Sequence, residues 1–298
     1  MKTFLSLTKR NVKLFFKDKA MFFTSLITPV ILLVLYMTFL AKVYREAFTS
    51  AIPEDFSVPK KIINGMVGGQ LTSSILAVSC VTVAFCSNLL MVNDKIRGAR
   101  KDFAVTPVKK YTFALSYYTA TLLTTLIVSG TATVACFAYI ATQGWYLTAT
   151  DAVLVVVDVF ILTMFGTALS SCVNVFLTSQ GQASAVGTIV SSCYGFVCGA
   201  YMPISNFGSG LQAVLGFLPG TYGTSLIRNH SLSGVCNERF NQGFPPETVE
   251  TIKDSVDCNI YFFGDKVEIW VMYLVMIGAI VVLTGAFILI NALQKKRG

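Results

Sequence analysis

The chain has 298 residues; 54% are hydrophobic, only 13% are charged, and the formal net charge is +8. Soluble domains carry about 25% charged residues, so there are too few polar side chains here to clothe a water-soluble globule. The charges are also clustered: none occurs between Lys19 and Lys42, Lys61 and Asp94, Lys110 and Asp151, Asp158 and Arg228, or Glu268 and Lys295. Each gap reaches the roughly 20 residues a helix needs to cross the hydrocarbon core.

Residues 1–19 come first. Phe4, Leu5, Val12, Phe15 and Phe16 share one helical face, while Lys9, Lys13 and Lys17 recur on another. This is the pattern of a basic amphipathic helix in the membrane interface, on the cytoplasmic side. The first apolar run follows this polar stretch and shows no small-residue cleavage site, so it reads as a permanent span and not a signal peptide.

Span one is expected at 20–41, with Pro29 inside it, and an external loop at 42–64 holds Glu46, Glu54 and Asp55. Span two is expected at 65–92. Residues 93–110 carry Lys95, Arg97, Arg100, Lys101, Lys109 and Lys110 against Asp94 and Asp102, and such a dense basic loop belongs in the cytoplasm. Span three is expected at 112–142, followed by an aromatic interface turn with Trp145 and Tyr146. Spans four and five are expected at 152–178 and 183–200.

The stretch 202–227 is uncharged but broken by Pro203, Gly208, Gly210, Gly216, Pro219, Gly220 and Gly223. Span six is expected at 268–293, ahead of a basic Lys295-Lys296-Arg297 end. Both ends prefer the cytoplasm, which demands an even number of crossings. The broken stretch therefore reads as a re-entrant hairpin that returns to the outer face, and 228–267 as an external loop richer in acid than base. On this topology the inner segments hold fifteen Lys and Arg and the outer segments eight, so the positive charge is a topology signal and needs no nucleic acid. The expected fold is thus an all-α integral membrane protein in one domain, multi-pass in the cell membrane. It has six transmembrane helices, an N-terminal interfacial helix, a re-entrant hairpin before the last span and both termini cytoplasmic.

In span five Ala183, Gly187, Ser191, Gly195 and Gly199 recur every four residues. A stripe of small residues lets another helix approach closely. It reads as a subunit or subdomain interface or as packing within one subunit, and in either case as a face turned to protein.

Two sets of residues carry a family resemblance. The cytoplasmic loop has Arg97-Gly98 followed by Val105-Thr106-Pro107-Val108-Lys109. On the other face stand Gly199, Met202-Pro203, Leu218-Pro219-Gly220-Thr221-Tyr222 and Arg228. In these slots, and with this order of elements, the chain resembles the permeases of the type-2 ABC exporters along nearly its whole length. It departs from them at Ala99-Arg100-Lys101-Asp102, where many members have Thr-Leu-Glu, and at Leu218, where Asn often precedes the Pro.

The resemblance implies that residues 93–110 dock into a separate ABC ATP-binding subunit and transmit its closure. Arg97, Gly98, Arg100, Lys101 and Asp102 would lie at that contact, with Phe103 as apolar anchor and Pro107 positioning the next helix. The interfacial helix would make a second contact. Pro203, Pro219 and Gly220 would shape the hairpin. Two permeases, identical or related, and two ATPases would form the working unit, with the pathway between the permeases lined by spans one, two and five. The chain holds no G-x-x-x-x-G-K-[ST] phosphate loop. It is read as a transport subunit and not an enzyme, with no cofactor of its own and with ATP and Mg2+ in the partner.

Three other features stand apart. Asp158 is the ionisable residue inside an expected span, less than two turns from its outer end; it reads as a substrate or proton site, or as a snorkelling or paired structural group. Cys236 and Cys258 share the last external loop, where a disulfide is chemically open to them. His230 reads as an ordinary polar residue at the outer interface, and no metal-ligand spacing is visible. The low charge of the spans, with their Phe, Tyr, Ser and Thr, suits an amphipathic cargo such as a drug, antibiotic peptide or lipid-like molecule. Export of polysaccharide or lipid-linked glycan lies within the same family. A secondary transporter or channel would show broken helices in both halves and more mid-membrane charge. An intramembrane enzyme would show a buried catalytic constellation.

Overall fold

The computed structural model describes residues 2–50, 59–99, 108–241 and 246–293. Helix α1, Lys2–Lys17, is amphipathic as its pattern requires. Lys9, Lys13 and Lys17 are exposed, whereas Thr8, Asn11 and Phe15 are buried. Its buried face rests on protein, along the start of a long later helix, and Phe15 packs with Val83 and Val128. Asp18 then breaks the helix and caps the next, its Oδ1 accepting from the Met21 amide at 3.1 Å.

Helix α2, Lys19–Leu35, passes through a π-turn at Tyr36–Leu40 into α3, Ala41–Ser50. The apolar stretch is continuous from Lys19 to Glu46. Pro29 lies buried within α2. The π-turn aims Tyr36 inward, where its hydroxyl donates to Ser74 Oγ at 2.7 Å and its ring stacks on Tyr44.

Helix α4, Lys60–Ile96, is the axis of the molecule. Its 37 residues extend roughly 55 Å, well beyond the hydrocarbon core. It is surrounded by α2, α5 (Lys110–Gln143), α6 (Ala149–Asn174), α7 (Gln180–Val197) and α9 (Pro219–Asn241). A helix buried all round shows no amphipathic stripe, and α4 instead alternates apolar residues with Gly, Ser and Thr. The small positions admit close neighbours. A Cβ on Gly69 would lie 2.8 Å from Ser231 O of α9, and one on Gly166 of α6 would lie 2.8 Å from Cys80 O of α4. Helix α6 opens with a capping box in which Thr148 and Asp151 satisfy each other's backbone amides.

After α7 the chain turns at Gly199, φ +73°, and runs through a 3-10 turn at Ile204–Asn206 and the short α8, Ser209–Leu215. Helix α10, Pro246–Ser255, and a two-stranded hairpin, β1 Tyr261–Phe262 with β2 Asp265–Lys266, lead to the last helix, α11, Ile269–Leu293.

Several expectations change. Five helices among the described residues are long and apolar enough to cross a membrane: Lys19–Glu46, Lys60–Ile96, Tyr111–Gln143, Ala149–Asn174 and Ile269–Leu293. The expected fifth span, α7, is shorter and more polar, with Gln180, Gln182, Ser184, Thr188, Ser191 and Ser192 along it. The loop expected from residue 93 begins later, because α4 stays helical through Ile96. The hairpin expected at 202–227 does not end there: α9 runs unbroken from Pro219 past Arg228 and His230. Pro at a first helical position leaves no amide unsatisfied, so Pro219 starts a helix where the sequence reading took it as part of a hairpin turn. The segment 228–267 is accordingly not a loop but half of α9, then α10 and the β-hairpin.

Candidate functional site

A cavity of about 1430 Å³ opens between α2–α3 on one side and α7 on the other, with α4 as its floor. Its inner end is bounded by Asp18, Asn93 and Arg97, and its outer end by Tyr201, Met202, Pro203 and Asn206. Between them the wall alternates hydroxyls (Thr24, Thr28, Ser184, Thr188, Ser191) with Leu32, Leu35, Phe39, Phe48 and Phe196. Among the described residues, the lining charges, Asp18 and Arg97, stand at the inner mouth. Such a lining offers hydrogen bonds and apolar contact without a fixed charge in the body of the cavity.

The small-residue stripe of α7 divides along its length. Gly187 and Ser191 line the cavity, and a Cβ on Gly187 would meet nothing within 4 Å. Gly195 and Gly199 are packed within the chain instead. A Cβ on Gly195 would collide with the Tyr201 ring, and one on Gly199 would come 3.0 Å from Asp257 Oδ2 and Ile204. Tyr201 folds back so that its hydroxyl donates to Ser191 O at 3.2 Å. Of the hairpin residues, Pro203 lies at the outer rim of the cavity. Pro219 and Gly220 begin α9, with Gly220 pressed against Tyr194 of α7.

Three polar clusters frame the bundle. At the inner end Arg10 of α1 donates to Asp94 Oδ2 of α4 at 2.8 Å, and Tyr117 of α5 donates to the same oxygen at 2.6 Å. Asn11 Oδ1 accepts from Arg10 at 2.8 Å. Partial burial works against the Arg10 cation, but the bond and charge of Asp94 outweigh it and hold its pKa above the usual value. Next to this link Lys95 Nζ donates to the carbonyls of Val175 and Leu177, at 3.2 and 3.0 Å, just past the C-terminal end of α6. A cation suits that end of a helix dipole. The interfacial helix, the end of α4 and the turn between α6 and α7 are thus tied together one turn from Arg97 and Gly98. Arg97 caps α4 and Gly98 leaves it at φ +81°. Arg100, Lys101, Asp102, Phe103 and Pro107 lie outside the described residues.

The second cluster is at the outer end. Arg228 of α9 is 1% exposed and donates to Val256 O at 2.7 Å, Gly199 O at 2.8 Å and Ser73 Oγ at 3.4 Å, with Asp257 Oδ2 at 3.5 Å. Asp257 in turn accepts from the amides of Ile204 and Ser205. Burial raises the Asp257 pKa above the usual carboxylate value, against the opposing pull of Arg228. The pair welds α4, the end of α7, the 3-10 turn and the segment after α10 into one unit.

The third cluster lies deeper. Asp158 of α6 is 1% exposed; its Oδ2 meets His230 Nδ1 of α9 at 2.6 Å, and its Oδ1 accepts from the Tyr273 hydroxyl of α11 at 2.5 Å. The imidazole stacks on the Tyr273 ring. Asp158 is therefore sequestered and not snorkelling to water, and His230 is its buried partner and not a surface residue. Each carboxylate oxygen is held by a different helix, so the group cross-links three helices.

Sequence reasoning singled out Arg228 as a motif residue and Asp158 as an isolated charge, but it missed His230, Tyr273, Asp257 and the Arg10–Asp94 link. The available signal was Pro219: a helix begun there carries Arg228 and His230 inside the bundle. Cys236 and Cys258 come together in the main buried cluster, and both are present as thiols. Burial, followed by the neighbouring Cys236, pushes the Cys258 thiol up.

A peripheral helix latched to one end of a long, apolar central helix, beside a lateral cavity lined by hydroxyls and aromatic rings, describes a membrane component with room for a cargo. The chain belongs to the ABC-2 type transporter family, whose pattern matches residues 2–230, from α1 to the middle of α9. No curated protein matches the sequence individually. The match makes the chain an ABC-2 type permease, a transport component.

Proposed function

We propose that this permease exports an amphipathic molecule across the cell membrane, with ATP hydrolysed by a separate ATP-binding subunit docked at residues 93–110. The cavity between α2–α3 and α7 is the observation that carries the reading. Its hydroxyl and aromatic walls match a cargo with an apolar body and scattered polar groups, and its inner mouth, at Arg97, adjoins the proposed docking loop. A second permease, identical or related, would complete the pathway against α2–α3 and α7, with Gly187 and Ser191 facing it. Arg97, Arg100, Lys101 and Asp102 would steer the partner by charge, and Phe103 would anchor it. The latch between Arg10 and Asp94 would carry movement of α1 and the loop into α4.

The topology follows from charge. With α7 as a sixth crossing, residues 1–19, 93–110 and the basic end at 295–297 all lie in the cytoplasm, and α8 with the start of α9 dips back from the outer face.

The test is co-purification in mild detergent. The wild-type chain should bring down an ATP-binding subunit whose hydrolysis the permease stimulates, and the variant with Arg97, Lys101 and Asp102 changed to Ala should lose it. A wild-type chain that purifies alone, with no ATPase activity from any membrane extract, would overturn the reading. Substrate class is tested by placing Leu at Thr188: amphipathic cargo should lose transport while partner binding is unchanged.

A further inference from the structure

The β-hairpin before α11 falls in what the sequence presents as a water-facing segment, yet its tip is apolar and held in an unfavourable conformation. Phe262 pairs with Asp265, so Phe263 and Gly264 form a two-residue turn, with φ of +52° and +96°. Both angles are positive, as the preferred hairpin turns require, and Asn or Asp is the usual choice at the first position because a bulky side chain is strained there. A Phe that tolerates this backbone and is 76% exposed needs a partner to explain it.

The hairpin's neighbours say what that partner is. The Phe263 ring stands 6.0 Å from Phe217 and 4.8 Å from Phe262, and Phe217 is itself exposed. Phe217 continues a helical row of exposed apolar residues, Leu211 and Val214, along α8. A Cβ on Gly216 would lie 3.3 Å from Phe262, the Tyr222 hydroxyl donates to Gly216 O at 2.6 Å, and a Cβ on Gly223 would lie 3.1 Å from Met276. The hairpin therefore packs against the end of α8 and the turn into α9, and its exposed aromatic tip extends the exposed apolar row of α8.

We propose that this hairpin is a lipid-binding wedge, with Phe263 seated among the upper acyl chains of the outer leaflet and Asp265 and Lys266 at the headgroups. The exposed charges of β2 follow directly after the tip, and Lys266 is held by Glu250 Oε2 at 3.0 Å, so the polar strand sits where headgroups and water meet. Continuity with the apolar row on α8, in a chain with five helices long and apolar enough to cross a membrane, selects lipid over a soluble partner. The leaflet follows from the orientation proposed above; the lipid contact does not depend on it.

The experiment replaces Phe263 with Trp in a chain whose Trp145 and Trp270 are changed to Phe. The exchange swaps one aromatic for another at a largely exposed position, so the fold is retained. The purified protein is placed in phosphatidylcholine vesicles, plain or brominated at the headgroup end of the acyl chains in both leaflets. Loss of emission in the brominated vesicles, with a blue-shifted spectrum and little quenching by aqueous iodide, is the expected result. Quenching by iodide alone would make the tip an aqueous loop, and quenching by neither would put protein over it; both overturn the proposal. Because bromine is present in both leaflets, an error in the proposed orientation would leave the expected result unchanged. Phe263→Asn, which suits the turn, should unfold no earlier in detergent than the wild type.

Discussion

Replacing Arg228 with Met keeps most of the side chain's volume but removes every donor of a guanidinium that is 1% exposed. Four groups then lose a bond in the dry interior: the Gly199 and Val256 carbonyls, Ser73 Oγ and the Asp257 carboxylate, which keeps its two backbone amides but loses its countercharge. Removing one member of a buried ion pair costs about 3–5 kcal/mol, chiefly because the other charge stays behind. Asp257→Asn alone leaves a buried cation facing neutral acceptors, but its left-handed backbone, φ +54°, suits Asn well. In the double variant neither charge remains, and the Asn carbonyl can still accept from the Ile204 or Ser205 amide. The double variant should therefore lose less stability than the two single losses added, by roughly 1–3 kcal/mol of coupling. Arg228→Lys should fall between, since a point charge cannot fork to three acceptors. Thermal unfolding in detergent reads this directly: Arg228→Met should lower the midpoint by on the order of 10 °C. A single variant as stable as the wild type, or losses that simply add, would refute the idea that this pair holds the outer ends of α4, α7 and α9 together.

Further outcomes follow from other contacts. Gly234→Ala places a Cβ 1.9 Å from the Tyr146 carbonyl oxygen, so the turn between α5 and α6 must move, at a cost of about 1–3 kcal/mol or more, whereas Gly278→Ala meets nothing and should be neutral or slightly stabilising in the same melt. Tyr273→Phe removes one bond to the buried Asp158 carboxylate and should lower stability by about 1.5–3 kcal/mol, with an effect that is not additive with His230→Ala. Arg10→Ala should leave the fold intact but weaken ATP-driven transport in reconstituted vesicles, and exchanging the charges as Arg10→Asp with Asp94→Arg should restore part of it. The bond from Lys266, then that from Asn259, holds the Glu250 pKa below its usual value. Its stabilisation is therefore present above the usual glutamate pKa and lost as pH falls through the lowered one. Glu250→Gln should remove that acid-side dependence of the unfolding midpoint.

The membrane-spanning character and most helix positions were legible in the sequence because both depend on local quantities. A charge-free run long enough to cross the bilayer must be satisfied by its own helical hydrogen bonds, and the basic face of α1 follows from Lys9, Lys13 and Lys17 alone. The failures have a common cause. Pro219 and Gly223 read as breaks in the sequence, yet Pro219 begins a helix, and Gly223 inside it is small because Leu162 and Met276 press against it. The small-residue stripe of α7 gave one sequence signal for two surroundings: Gly187 faces an open cavity, and Gly195 lies under the Tyr201 ring.

What the sequence alone determined is how the chain meets its solvents: that it is a membrane protein of long apolar helices, which face of α1 stays polar, where charge gathers. Those follow from transfer free energies that act residue by residue. Partnership was decided only by the tertiary structure. Asp158 and His230 are 72 positions apart, Arg10 and Asp94 are 84, and periodicity along one helix says which face is buried without saying what buries it. In lipid, where apolar contact scarcely distinguishes one neighbour from another, the polar pairings and the close approaches at glycine select the arrangement, and both exist only once the helices are side by side.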